Sequence, residues 1–222
     1  MKKISGFIIS LALSLPLLCN GQDTTRYPIN EMKGIRIGID LAKLAFPFIY
    51  DKERVGFEVS VDKFIWKNIF GVAEVGWLDV DLDRDTYHYQ LNGLYGKLGI
   101  DYNLLKSRRP FSNDLFYAGF RYGMSFFSHK ADDITVPGYY WPDASSQSIS
   151  KTSMNAHWIE LLMGVKAEVL KNFYIGLIFR GKFRIASPKG KYSNAYVIPG
   201  YGNGADGFSL GLNYYISYNI KF

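Results

Sequence analysis

Histidine and serine residues in the middle of the chain have the types that nucleophilic catalysis requires. His157 lies four residues after Ser153, and Glu160 follows it in the chain. A nucleophile, a base and an orienting acid must lie within hydrogen-bond reach of one another. With Ser128 as an alternative nucleophile, this set supports a hydrolase hypothesis. The simpler interpretation, which we favour, makes His157 a structural residue beside Trp158 at a rim of the fold.

Three aspartates at alternate positions, Asp81, Asp83 and Asp85, resemble the start of a calcium-binding loop. The glycine and the distal glutamate of such a loop are missing, so we interpret the stretch as a solvated loop and expect no metal. The sequence has no phosphate-binding loop and no dinucleotide fingerprint, so we expect no cofactor. The net charge of +6 comes from bases interleaved with acids, which argues against a nucleic-acid partner.

The elements that would position these side chains are indicated by a two-residue alternation of apolar and polar residues. Such alternation gives a strand one apolar and one polar face. One of the stretches, 157–169, also fits an amphipathic helix, and its neighbours favour a strand. Eight strands are predicted, at residues 33–44, 55–62, 69–77, 94–103, 116–128, 157–169, 172–184 and 211–222.

Long and short connections alternate between these strands. Roughly thirty residues, His129 to Ala156, join the fifth and sixth strands, whereas Leu170 and Lys171 alone separate the sixth from the seventh. Long loops at one end and short turns at the other are typical of outer-membrane barrels. We therefore predict an all-β fold, a closed antiparallel eight-stranded transmembrane up-and-down β-barrel over residues 33–222.

The polar face of the predicted strands carries acids and bases in equal numbers, with Asp62 and Arg184 among them. A narrow lumen requires such balance, because unpaired charge in a confined interior is costly. A soluble barrel such as a lipocalin would instead turn the apolar face inward, and this remains the alternative. In the membrane interpretation a salt-bridged, plugged lumen is formed by Arg36, Asp40, Glu58, Glu74, Lys97, Asp101, Arg121, Glu160, Lys166, Glu168, Arg180 and Lys182.

Both chain ends have features of an exported barrel. Residues 1–21 have a charged start, an apolar run and a small-residue exit, which predicts a cleaved signal peptide and a short periplasmic segment at 22–32. Lipidation of Cys19 is the alternative. The last strand ends on an aromatic residue, as expected of a strand that the barrel-assembly machinery recognises through Phe222, Ile220 and Tyr218.

Aromatic residues are frequent in the predicted long connections. Tyr139, Tyr140 and Trp141 lie in the third, and Tyr192, Tyr196 and Tyr201 lie in the fourth. Exposed aromatic clusters suit an extracellular glycan or protein partner. The same residues suit a lid over the barrel mouth or a belt at the lipid headgroups.

Seven stretches cover most of the chain after residue 33: GIRIGIDLAK (34–43), VGFEVSVD (55–62), YGKLGIDYN (95–103), FYAGFRYGMSFFS (116–128), NAHWIELLMGVKAEV (155–169), NFYIGLIFRGKFR (172–184) and IPGYGNGADGFSLGLNYYISY (198–218). Through them the chain resembles an uncharacterised family of outer-membrane β-barrels from Bacteroidota, described as a domain of unknown function. The resemblance implies this fold and a location in the outer-membrane bilayer, and it supplies no catalytic or binding residue.

We therefore expect a structural or surface-binding protein of the outer membrane and no enzymatic activity. The alternatives are a lipid-modifying hydrolase of the outer membrane and a soluble periplasmic ligand-binding barrel. A channel for small solutes is a weaker alternative, because eight strands leave room only for side chains inside.

Overall fold

The structure, a computed structural model, describes residues 34–49, 52–84, 87–105, 114–136, 145–186 and 195–221. One helix and ten strands occur in this part of the chain. In order they are β1 (Ile35–Asp40), α1 (Leu41–Ile49), β2 (Arg54–Trp66), β3 (Ile69–Arg84), β4 (Tyr87–Asn103), β5 (Leu115–Val136), β6 (Ser145–Leu170), β7 (Phe173–Ala186), β8 (Val197–Ile198), β9 (Gly202–Asn203) and β10 (Phe208–Ile220).

Eight of these strands form a closed barrel in the order β1, β10, β7, β6, β5, β4, β3, β2. Every neighbouring pair is antiparallel, and β1 closes the ring by pairing with both β2 and β10. The prediction of a closed, antiparallel, eight-stranded up-and-down barrel is confirmed. The short strands β8 and β9 pair only with each other, as a separate hairpin.

We call the end of the barrel where Ile35 pairs with Ile220 the terminal end, and the opposite end the distal end. Two-residue turns at the terminal end join β2 to β3 and β6 to β7. Lys67 and Asn172 in these turns have φ angles of 49° and 66°. Such left-handed conformations allow the chain to reverse between two strands without a longer loop.

The two faces of the barrel wall differ sharply near the terminal end and at mid-height. Outward-facing Leu98, Leu161 and Phe120 are 67%, 56% and 42% exposed, whereas inward-facing Lys97 and Glu160 are buried. The arrangement is the reverse of a soluble barrel, which buries its apolar face. The alternative with the apolar face inward is therefore wrong for this part of the barrel.

Toward the distal end the polarity of the wall is inverted. On β3 the outward residues change from Trp77 to Asp79 and Asp81, while the inward residues become Val80 and Leu82, which are 1% and 3% exposed. Neighbouring strands change in the same way. We call this region the distal section, and its inward residues form an apolar cluster of Val80, Leu82, Tyr89, Leu91, Tyr95, Phe127, Ala131, Met154, Ala156, Trp158, Ala195, Ile198 and Tyr201.

The predicted connections over residues 78–93 and 129–156 were too long. The predicted loop between residues 77 and 94 is mostly strand, since β3 continues to Arg84 and β4 begins at Tyr87. Likewise β5 continues to Val136 and β6 begins at Ser145. In these parts of β3 and β4 the alternation persists, but the apolar residues lie on the inner face. The outer face therefore lacks the apolar pattern of a membrane strand.

The first predicted strand, 33–44, was also too long. β1 ends at Asp40, and residues Leu41–Ile49 form the helix α1. The Asp40 carboxylate accepts a hydrogen bond of 3.0 Å from the backbone N–H of Ala42, as an N-cap does. Among the described residues, no helix is long and apolar enough to cross a membrane.

The early end of β1 leaves an interruption in the barrel wall. β1 pairs with β2 only as far as Val59 and with β10 only as far as Tyr215. Beyond these points Arg54–Glu58 of β2 and Phe208–Tyr214 of β10 have no β1 residue between them. The helix α1 contacts both β2 and β10. We call this interruption, filled by α1, the lateral seam.

The ion-paired lumen as the candidate functional site

Buried ion pairs occupy part of the lumen near the terminal end, beside a cluster of buried apolar and aromatic side chains. The Asp62 carboxylate on β2 accepts hydrogen bonds from the guanidinium of Arg36 on β1, with Nη2 at 2.5 Å and Nε at 2.7 Å. The Lys166 ammonium on β6 approaches the other Asp62 oxygen at 2.5 Å. The aromatic rings of Phe70 and Tyr174 flank Arg36 at 5.4 and 5.0 Å. One carboxylate thus links β1, β2 and β6 across the barrel.

A larger cluster lies at mid-height and is centred on Arg180 of β7. Its Nη1 lies 2.7 Å from Glu74 on β3 and 2.8 Å from Glu160 on β6. Arg180 also donates to the Tyr215 hydroxyl at 3.2 Å. Both carboxylates and the guanidinium are at most 1% exposed in their side chains. The cluster therefore joins strands on opposite sides of the barrel.

Lys97 and Arg121 extend this cluster around the wall. The Lys97 ammonium lies 3.0 Å from Glu58 and 2.9 Å from Glu74. Arg121 bonds Asp101 at 2.8 Å and approaches Glu74 at 3.4 Å. Each charged group has at least one partner of opposite sign, so the desolvation cost of burying it is offset.

Glu58 is shared by the central cluster and the groups above it. It accepts hydrogen bonds from the Lys43 ammonium on α1 and from the Tyr215 hydroxyl on β10. The Tyr95 hydroxyl also donates to it at 2.6 Å. Lys43, Tyr95 and Tyr215 were missing from the predicted set. Only the two tyrosines left a signal in the sequence, because each lies on the polar face of its strand.

Of the predicted lumen residues, Arg36, Glu58, Glu74, Lys97, Asp101, Arg121, Glu160, Lys166 and Arg180 are brought together as described above. The other three predicted residues have local partners. Asp40 caps α1 and accepts a hydrogen bond of 2.5 Å from Asn213. Glu168, near the terminal end, accepts the backbone N–H of Asn172 at 2.7 Å. Lys182 donates to the backbone carbonyls of Gly200 and Tyr201 at 2.8 and 3.0 Å.

Residues 195–207, which we call the inner hairpin, enter the barrel from the distal end. The Tyr201 ring is fully buried and meets the Trp158 ring edge-on, with centroids 6.0 Å apart. Trp158 donates its indole N–H to Glu160 at 2.8 Å, so the Trp158 side chain connects the inner hairpin to the ion-pair cluster. Gly200 has a φ of +79°, and a side chain there would collide with the Tyr95 ring.

For the aromatic residues of the fourth connection, these contacts distinguish between the alternatives left open by the sequence. Tyr201 lies inside the barrel, as a lid residue would. Tyr196 is 53% exposed and lies under the guanidinium of Arg54 at 5.5 Å. Tyr192 lies outside the described residues, as do Tyr139, Tyr140 and Trp141 of the third connection.

The side chains of the hydrolase hypothesis are not brought together. His157 faces outward and bonds the Tyr122 hydroxyl at 2.9 Å, while Glu160 faces the lumen and bonds Trp158 and Arg180. Ser153 lies on the outer face four residues from His157, about 13 Å along the strand. Ser128 is its cross-strand neighbour and is equally distant from His157.

The other two histidines lie in the distal section. His129 is buried inside it between the rings of Tyr89 and Phe127, and burial lowers its pKa. His88 faces outward with its Nε2 2.6 Å from Asp81, and this hydrogen bond lowers the pKa of the Asp81 carboxyl. Among the described residues no group of three or more histidine, cysteine or acidic side chains is arranged to hold a metal.

The predicted assembly signal is described in part. Tyr218 and Ile220 of β10 face outward and are 53% and 47% exposed. Phe222 lies outside the described residues, as do residues 1–33 with the predicted signal peptide and Cys19. Asp85 of the aspartate stretch also lies outside them.

The chain was compared in three dimensions with solved structures of outer-membrane and surface proteins. The crystal structure of a major outer membrane protein from Thermus thermophilus is similar with a TM-score of 0.50 and 12% identity, over 84% of this chain and 98% of that chain. The crystal structure of Neisserial surface protein A (NspA) gives a TM-score of 0.40 and 9% identity, over 85% and 95% of the two chains. The first likeness supports the fold alone.

No curated protein matches the chain. A family model described as a domain of unknown function, DUF6048, matches residues 4–222. This match covers nearly the whole sequence, including every strand of the barrel and the inner hairpin. The chain therefore belongs to the DUF6048 family.

Proposed function

We propose that this protein is an outer-membrane β-barrel of structural or surface-binding role, with a lumen closed by ion pairs and by the inner hairpin. The observation that carries the proposal is the belt of exposed apolar side chains around the barrel, bounded by the inversion of polarity at the distal section. Exposure of such a belt to water would be unfavourable, whereas in a membrane lipid would cover it.

The height of the belt fits a bilayer. On β5 the outward residues are apolar from Phe116 to Phe126 and become polar at Ser128 and Lys130. Ten residue steps of about 3.3 Å, at a strand tilt of about 40°, span about 25 Å. This is about the height of the apolar band of outer-membrane barrels.

Aromatic side chains lie at the terminal border of the belt. Trp66, Tyr102 and Tyr218 face outward and are 61%, 51% and 53% exposed. Tyrosine and tryptophan prefer the headgroup level, where their rings meet both lipid and water. Since β1 begins and β10 ends at this border, and the two-residue turns lie there, we propose that it is periplasmic and that the distal section is extracellular.

We assign the surface-binding role to the distal section, because β5 and β6, which precede and follow the predicted contact residues in the chain, project beyond the belt. Asp79, Gln90 and Lys130 give its outer wall a hydrophilic surface. Tyr139, Tyr140 and Trp141 follow β5 in the chain and are the proposed contacts for an extracellular glycan or protein. Residues 1–21 are the proposed export signal, and Tyr218, Ile220 and Phe222 the proposed recognition element for assembly.

Fractionation with a heat-modifiability gel tests this proposal. The protein is expected in the outer-membrane fraction, and in SDS the unboiled sample is expected to migrate faster than the boiled one, as a folded barrel does. A protein that remains in the periplasm and shows no mobility shift contradicts the proposal. Either result is obtained without knowledge of a ligand.

Arginine at the centre of the belt is expected to be tolerated far worse than arginine above it. Leu98→Arg should lower the free energy of unfolding in lipid by about 2–4 kcal/mol, because the charge must enter hydrocarbon. Asn92→Arg is the matched control on the same strand and face, since Asn92 already pairs with Asp79 at 2.8 Å in the distal section. Urea titrations of both variants in liposomes measure the difference, and equal stability would contradict the membrane position.

A further inference from the structure

A cavity of about 290 Å³ lies behind the lateral seam. Ala42 and Lys43 of α1, Arg54 and Gly56 of β2, and Gly211 to Asn213 of β10 line it on the side of the seam. The inner hairpin and residues of β3, β4 and β7 form the rest of its lining. The cavity therefore lies next to the interruption of the wall that α1 fills.

The charge in this cavity is of one sign. Lys43, Arg54 and Lys182 line it, and none of its described lining residues is acidic. The Lys182 ammonium donates to two backbone carbonyls, and it forms no ion pair within the described residues. Lys43 reaches Glu58 below the cavity and stays 28% exposed in its side chain. A carboxylate or another small anionic group would complement the Lys182 ammonium.

The rest of the lining is apolar. Trp77, Leu78, Val197 and Ile198 contribute, and the exposed outer wall beside the seam includes Phe57, Leu210 and Leu212. The helix in the seam, LAKLAFPFI, carries only Lys43 as a charged residue. An alkyl chain that leaves the cavity beside Phe57, Leu210 and Leu212 would therefore meet apolar side chains of the outer wall.

We propose that the cavity binds the carboxylate of a long-chain fatty acid, whose alkyl chain passes through the lateral seam beside α1 into the bilayer. The cavity volume agrees with a carboxylate bound inside and an alkyl chain that extends outside, because about 290 Å³ lies at the lower limit of small-molecule sites, roughly 300–1,000 Å³. The polar end and the first carbons fit inside, and a longer chain must extend outward. This inference rests on the proposed membrane location.

Photolabelling of the full mature chain in phosphatidylcholine nanodiscs tests the site. The probe is palmitic acid with a diazirine in its chain, and labelled peptides are identified by mass spectrometry. Label is expected on α1, on residues 54–58 and on residues 208–214. Unlabelled palmitic acid should compete at least about tenfold better than hexadecanol, which has the same chain and no charge.

Lys182→Met should reduce this labelling at least about tenfold, while Lys151→Met, a change of the same kind on the exposed outer wall, should leave it unchanged. Ala42→Phe, which fills the cavity and keeps its charges, should also reduce it. Label spread evenly around the apolar belt, or equal competition by hexadecanol, would overturn the inference. The heat-modifiability gel on the same samples reports folding and membrane location independently, so a folded membrane barrel without seam labelling contradicts this inference alone.

Discussion

Replacing Arg180 with methionine is expected to lower the free energy of unfolding by about 3–5 kcal/mol. The guanidinium is fully buried and is bonded to Glu74, Glu160 and Tyr215. Methionine fills similar space and leaves two buried carboxylates short of a counter-charge, which costs far more than the pair itself contributes. Urea titration of the folded barrel, followed by the compact band on unboiled gels, measures the loss.

The control for this prediction is Arg84→Met. Arg84 makes two hydrogen bonds with the carboxylate of Glu53, at 2.6 and 2.7 Å, but its side chain is 47% exposed. Exposed pairs contribute about 0–1 kcal/mol, so this change should be nearly neutral. Equal losses for the two variants would show that the central cluster does not hold the barrel together. Because the methionine still occupies the lumen, Arg180→Met should open no conductance in planar bilayers.

Replacing Trp158 with alanine is expected to cost about 3–5 kcal/mol and to release the inner hairpin. The indole is fully buried, packs on Tyr201 and bonds Glu160, and an added side chain at Gly123 would collide with it. Removing a large aromatic side chain from a packed site leaves a cavity that the surroundings fill only in part. Limited proteolysis from the outside should then cut within residues 195–207 many times faster than in the unchanged protein.

Trp66→Ala is the control for this second prediction. Trp66 is 61% exposed at the terminal border of the belt, and its loss leaves no internal cavity. Its effect on proteolysis of the inner hairpin should be absent. An unchanged cutting rate in Trp158→Ala would mean that other contacts, such as those of Lys182 and Arg184, hold the hairpin, and that the aromatic contact is incidental.

The alternation in the sequence was sufficient to predict the barrel and the inward side of its charges. It was insufficient where the two-residue alternation continues but the outward residues change from apolar to polar, as between Trp77 and Asp79. The alternation identifies a strand, but it does not show whether the outer face meets lipid or water. The ends of β3 to β6 were missed for this reason. The helix α1 was missed because Leu41 continues the apolar positions of β1, although Lys43 and Leu44 already break the alternation.

The pairing of charges needs the closed ring and the lengths of the side chains, which the alternation does not supply. Arg36 and Asp62 are cross-strand neighbours and do pair. Arg121 and Glu160 are neighbours as well, yet Arg121 bonds Asp101 and Glu160 bonds Arg180. The burial of Tyr201 depends on a hairpin that folds back into the barrel, and no local sequence pattern predicts this.

The inversion of polarity has a consequence for the kind of membrane that can house the protein. On β3, β4 and β5 the change falls on one row of paired residues, Asp79, Asn92 and Ser128. In the proposed orientation this row marks the outer boundary of the hydrocarbon core. A thicker bilayer would cover polar side chains and a thinner one would leave Leu94 and Phe126 in water. Each ångström of mismatch carries a small cost. The barrel should therefore stay at one depth and be most stable in bilayers whose hydrocarbon core is about 25 Å thick.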